Sequence, residues 1–216
     1  MKDKKKYVLK VIKILKESFA DIKCPLKFSN PFELLAGVIL SAQCTDERVN
    51  KVTEGLFKKY KSLQDYANAD ISELENCIKS AGFFRNKAKS IIKSAQMVLN
   101  SYDGKVPQTM EELIKLPGVA RKTANVVLGH AFCKAEGIAV DTHVIRVAIL
   151  LKLTNHESPA KIEKDLMEIV PKQYWIEISL LIQTLGRRIC KARNPNHKDC
   201  PLNKICPSVK KAITTQ

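Results

Sequence analysis

Residues 116–125 read Leu116-Pro117-Gly118-Val119-Ala120-Arg121-Lys122-Thr123-Ala124-Asn125, and the fold turns on this stretch. Proline followed by glycine makes a tight turn, and the residues after it open a helix. Upstream, Thr109 and Glu112 have the spacing of a capping box ahead of Leu113 and Leu116. Two helices joined by a Pro-Gly turn are therefore expected. Backbone N–H groups left free at the start of the second helix form an anion site. Lys122 falls in that helix's first turn, and nineteen residues later Asp141 stands in Val140-Asp141-Thr142-His143. A lysine amine so placed is a candidate nucleophile, and an aspartate is a candidate partner for it. The pairing points to an enzyme rather than to a binding domain alone. Asp141 also has the position of an N-cap for a helix over 142–151.

Outward from this stretch the periodicity is helical almost everywhere. Val8, Val11, Ile12, Leu15 and Phe19 keep one apolar face. Phe32 to Leu40 is almost entirely apolar and predicts a buried helix. Val49, Val52, Leu56 and Phe57 continue the pattern, as do Ala88, Ile91, Ile92, Ala95, Val98 and Leu99. Ser158-Pro159 reads as a cap with proline at the first helical position. Tyr174 to Ile189 reads as the last long helix. No alternating segment is long enough for a strand, so the fold class expected is all-α.

A hydrophobic share of 45% in 216 residues supports a real core. The net charge of +15 points to a polyanion partner, with nucleic acid the leading choice. No apolar run reaches membrane-spanning length, and no export signal is legible, so a cytoplasmic protein without membrane partners is expected. The seven cysteines are an odd number, and Cys190, Cys200 and Cys206 crowd the tail. That distribution argues for a metal or cluster site in a reducing compartment rather than a disulfide framework.

The stretch Leu40-Ser41-Ala42-Gln43-Cys44-Thr45-Asp46, the Pro-Gly turn with Lys122, Val140-Asp141-Thr142-His143 and the cysteine-rich tail together resemble the endonuclease III family. These are helix-hairpin-helix DNA glycosylases with an associated lyase activity and an iron–sulfur cluster. The likeness runs in order from about residue 7 to residue 207. It implies two lobes: a six-helix lobe over 25–135 that ends in the hairpin, and a second lobe of 1–24 with 136–216 that carries a cluster loop at 190–206. It implies a bifunctional glycosylase and lyase that excises damaged pyrimidines from duplex DNA and acts as a monomer. A glycosylase without lyase action, such as the adenine-mismatch branch, is the rival, and that branch usually lacks a lysine at the place of Lys122. A non-catalytic DNA-binding protein is the second rival.

The resemblance also implies roles for single residues. Lys122 would be the Schiff-base nucleophile, with Asp141 helping to deprotonate it and stabilising cationic character on the sugar. Gly118, Ala120 and Arg121 of the hairpin would meet DNA phosphates, and His143 would be a packing or phosphate-contact residue. Gln43 would enter the space left by a flipped base, and Phe83 would wedge into the stack. Four cysteines spaced Cys-x₆-Cys-x₂-Cys-x₅-Cys hold a [4Fe–4S] cluster in this family. Here the positions are Cys190, His197, Cys200 and Cys206. Three thiolates and an imidazole suit a cluster, and they also suit zinc. Lys191 and Arg193, with Lys198, would present the loop to phosphate. The chain departs from the family at three places: Ala120 for the usual glycine, His197 for a cysteine, and Phe83 where leucine is common.

Overall fold

A computed structural model describes residues 2–209. In chain order the helices are α1 (Lys2–Ser18), α2 (Pro31–Leu40), α3 (Asp46–Lys59), α4 (Leu63–Ala67), α5 (Ile71–Ile78), α6 (Phe84–Ser101), α7 (Met110–Leu113), α8 (Arg121–Phe132), α9 (Thr142–Leu150), α10 (Pro159–Ile169) and α11 (Trp175–Arg188). No strand occurs among the described residues, so the all-α expectation holds. The chain forms two compact units, one of 24–136 and one that joins the N-terminal segment through Lys23 to the chain from Gly137 onward.

The first unit is built on α2. Its residues Phe32 to Leu40 are all buried, Glu33 included, as an almost entirely apolar run implies. Asn30 caps α2 by accepting from the Glu33 N–H, and Pro31 fills the first helical position, where a missing N–H costs nothing. Leu34 and Leu35 of α2, Ile91 and Ala95 of α6 and Val127 and Leu128 of α8 share one core. α7 opens as the sequence implies, because the Glu112 N–H donates to Thr109 Oγ1 (3.3 Å). The Glu112 carboxylate accepts from the Thr109 hydroxyl (2.8 Å), a side-chain variant of the reciprocal capping bond.

The second unit packs α1 with α9, α10 and α11. Val8, Val11, Ile12 and Leu15 are buried in its core with Val144, Val147, Ile162, Leu166 and Leu181. Lys16 of α1 pairs with Glu177 of α11 at 3.0 Å. One local expectation is corrected. Ser158 stands at the N-cap of α10, but its side chain makes no cap bond, and Pro159 alone marks the start. The last long helix runs as expected, as α11 with Tyr174 and Ile189 at its caps, and a 3-10 turn over Lys172–Tyr174 leads into it. The Trp175 indole donates to the Val170 carbonyl (2.9 Å) and ties that junction down.

Candidate active site and cluster loop

The turn between α7 and α8 explains its own residues. Gly118 has φ +78°, in the left-handed region that side chains avoid. A Cβ there would lie 2.9 Å from both Cβ and Oγ of Ser90, so glycine is required by packing as well as by backbone. The Ser94 hydroxyl on α6 donates to the Pro117 carbonyl (2.9 Å) and holds the turn against that helix. Ala120 is the N-cap of α8 at φ −89°, ψ 168°. That is extended backbone open to any residue, so alanine in place of glycine leaves the turn unstrained. An alanine supplies no capping oxygen, and no side-chain cap bond is formed at this helix start. Arg121 and Lys122 are exposed on the first turn of α8, while Ala124, Val127 and Leu128 are buried. The amine is thus carried on a helix whose other face is anchored in the core.

Asp141 lies in the second unit, at the N-cap of α9. Its Oδ1 accepts from the N–H groups of His143 (2.9 Å) and Val144 (2.8 Å). Its Oδ2 accepts from the Gln183 amide of α11 (2.6 Å). Three donors fix this carboxylate in place, and the helix dipole favours its charge. The Arg146 guanidinium lies 3.3 Å from His143 Nδ1. Burial holds the imidazole below the usual histidine range, with Asp141 pulling it up and Arg146 and Arg187 pushing it further down. A neutral ring keeps one N–H, which suits donation to a phosphate.

Gln43 and Phe83 sit on two loops of the first unit, both exposed. Both adopt left-handed backbone, with φ 54° and 46°. Phe83 is 66% exposed, the most exposed of the large apolar side chains.

The expected metal ligands come together in the second unit. Cys190, His197, Cys200 and Cys206 line one pocket, walled by Val147, Leu150, Leu185 and Leu202. Burial pushes the Cys190 thiol up, the Cys200 and Cys206 sulfurs push it further, and Arg146 draws it back. Cys200 is likewise raised, first by burial. Such thiols need a bound cation to be held as thiolates. A single zinc ion needs its donors at about 2.0–2.3 Å from one centre. Among the described residues no three His, Cys, Asp or Glu side chains are grouped that way, although these four line one pocket. The Arg146 side chain donates to the Cys190 carbonyl (3.2 and 2.9 Å) and anchors the loop. Lys191 and Arg193 are exposed on it.

Sequence reasoning missed two residues. Gln183 carries no signal, because a polar residue on a helix is commonplace. Lys87 does carry one. It lies four residues before Ile91 on the apolar stripe of α6, and it is buried at 5% exposure. Its Nζ donates to the carbonyls of Leu40 (2.8 Å), Ala42 (2.7 Å) and Ala81 (2.8 Å).

Comparison with known proteins agrees with this geometry. Residues 36–172 match the family described as HhH-GPD superfamily base excision DNA repair protein. The chain is 48% identical to endonuclease III of Synechocystis sp. over 208 residues, which cover 96% of this chain and 95% of that protein. It is 48% identical to endonuclease III of Bacillus subtilis over 191 residues, 88% of this chain and 87% of that one. Among solved structures, a non-covalent endonuclease III–DNA complex superposes with a TM-score of 0.91 at 44% identity, covering 97% of this chain and 98% of that one. A trapped endonuclease III–DNA covalent intermediate superposes with a TM-score of 0.90 at 45% identity, with the same coverage.

Proposed function

This chain belongs to the endonuclease III family of the HhH-GPD superfamily, and from that premise we propose how its own residues carry the family's reaction. It is a bifunctional DNA glycosylase and lyase of base excision repair that binds damaged duplex DNA and excises damaged pyrimidines. The Lys122 amine attacks the sugar C1′ of the damaged nucleotide. The C1′–base bond breaks and the base leaves with its electron pair. The amine proton is lost, the ring opens, and a Schiff base remains. That iminium acidifies the C2′ hydrogen. Loss of the C2′ proton then expels the 3′ phosphate and nicks the strand. Asp141 takes up the amine proton and stabilises the cationic sugar. The start of α8, with Gly118, Ala120 and Arg121, receives backbone phosphate, and His143 donates to another. Gln43 and Phe83 fill and wedge the stack as the nucleotide turns out.

The cysteine-rich loop fits the cluster this family binds. Three thiols and one imidazole line one largely apolar pocket, and thiolate and imidazole are donor types that ligate iron–sulfur clusters. Cys190, His197, Cys200 and Cys206 would hold a [4Fe–4S] cluster. When bound, it would organise the loop that presents Lys191 and Arg193 to phosphate.

The observation that carries this reading is the exposed Lys122 on the first turn of α8, immediately after a Pro-Gly turn that only glycine can make. Borohydride reduction on a duplex containing thymine glycol tests it. The protein should become covalently linked to the DNA, and Lys122→Ala should lose the link while keeping most DNA affinity. Undiminished trapping in that variant rules the assignment out.

A further inference from the structure

The two side chains assigned to the DNA stack stand on separate loops. Gln43 lies between α2 and α3, and Phe83 lies between α5 and α6. Both loops are short and strained in the same sense, since Gln43 and Phe83 both have positive φ. An exposed phenylalanine in left-handed backbone is neither packed nor relaxed, so something else must hold it there.

The holding group is Lys87. Its ammonium donates to Leu40 and Ala42 on the Gln43 side and to Ala81 on the Phe83 side. Three donors meet three carbonyls, which uses the whole capacity of an ammonium. No carboxylate is among these partners. A buried charge held only by carbonyl dipoles is costly, and α6 would pack better with an apolar residue at this register. Packing therefore gives no reason for lysine here. Joining the end of α2 to the turn after α5 does.

We propose that Lys87 is a positioning residue that clasps the two loops into one preformed wedge, so that Gln43 and Phe83 enter the duplex together. The proposal rests on the reading of those two side chains as the ones that enter the stack. A preformed wedge pays no ordering cost when DNA binds. Lys87 then acts on the opening of the duplex and not on the chemistry at Lys122.

The test compares β-elimination at an abasic site in duplex DNA with the same site in a single strand, under single-turnover conditions. The single strand has no paired stack to open. In Lys87→Met the ratio of duplex to single-strand rate should fall by about tenfold or more, the cost of ordering a loop residue afresh. Combining Lys87→Met with Phe83→Ala should lower the ratio little beyond Phe83→Ala alone. An unchanged ratio in Lys87→Met overturns the proposal, and so does an equal fall on both substrates, which marks general destabilisation. If Phe83→Ala and Gln43→Ala leave the ratio unchanged, the wedge reading itself fails, and the proposal fails with it. If those two lower the ratio and Lys87→Met does not, only the clasp fails. Should Lys87→Met not fold, the native protein decides. Fluorophenylalanine labelling, assigned with Phe83→Leu, should show one narrow resonance for Phe83 without DNA, and several or broadened resonances overturn the proposal.

Discussion

Asp141→Asn separates chemistry from folding, because the structure says what the amide can and cannot replace. Oδ1 caps α9 through the N–H groups of His143 and Val144, and an asparagine oxygen caps equally well. Oδ2 accepts from Gln183 at 2.6 Å. In the variant an NH₂ group faces that amide, so Gln183 must turn its own oxygen inward. The pair then survives as a neutral bond, at a loss of about 1 kcal/mol relative to a charge-assisted one. Losing the anion at the helix N-terminus costs about 0.3–1 kcal/mol more. The total is about 1–2 kcal/mol, which a folded protein tolerates. Catalysis has no such substitute. An amide neither accepts the amine proton nor neutralises a cationic sugar, and such a loss lowers turnover about a hundredfold or more. Single-turnover base release on a thymine glycol duplex, set beside urea unfolding of the same preparation, measures both quantities. Near-normal turnover refutes the role. A fall in activity matched by an equal fall in folded protein refutes it as well.

Two further outcomes follow from particular side chains. In the proposed cluster site His197→Cys would add a negative charge to the ligand set, so the reduction potential should fall, and loss of the visible absorbance on acidification should shift to lower pH, because protonation of an imidazole no longer competes with iron; a colourless protein with one zinc per chain decides for the rival metal. Burial holds His130 and His143 below the ordinary histidine value of 6.5, so the unfolded chain takes up protons that the folded chain refuses. Stability should therefore be full above that value and fall as pH drops below it, with His130→Gln flattening part of the fall in Tm between pH 7 and 5; an unchanged slope in that variant refutes the assignment.

What the sequence disclosed and what it hid divide by the kind of partner each residue has. Phe32 to Leu40 was legible as a buried helix because side-chain pattern alone decides burial. Asp141 was legible as a cap because its acceptors' partners are the next residues along the chain. The meeting of Cys190, His197, Cys200 and Cys206 at one pocket was legible because their spacing is itself the signal. The burial of Lys87 was marked by its place on the apolar stripe of α6, but its role was hidden because its three partners are carbonyls of Leu40, Ala42 and Ala81, and a carbonyl looks the same in every residue. Gln183 was hidden because Asp141 is 42 residues away and any polar side chain would read alike. Ala120 shows how a departure in the sequence can be harmless. The alphabet suggests a restricted turn, yet φ −89° is open to any residue, so the substitution removes freedom that the turn does not use. The glycine that the turn does need is Gly118, where positive φ and the 2.9 Å approach of Ser90 leave no room for a Cβ. A departure from a family's pattern thus counts against function only where the backbone angle or a neighbouring atom demands the missing residue. By that measure His197 is the departure that matters, since in the proposed cluster site it would change the charge of a ligand rather than the shape of a turn.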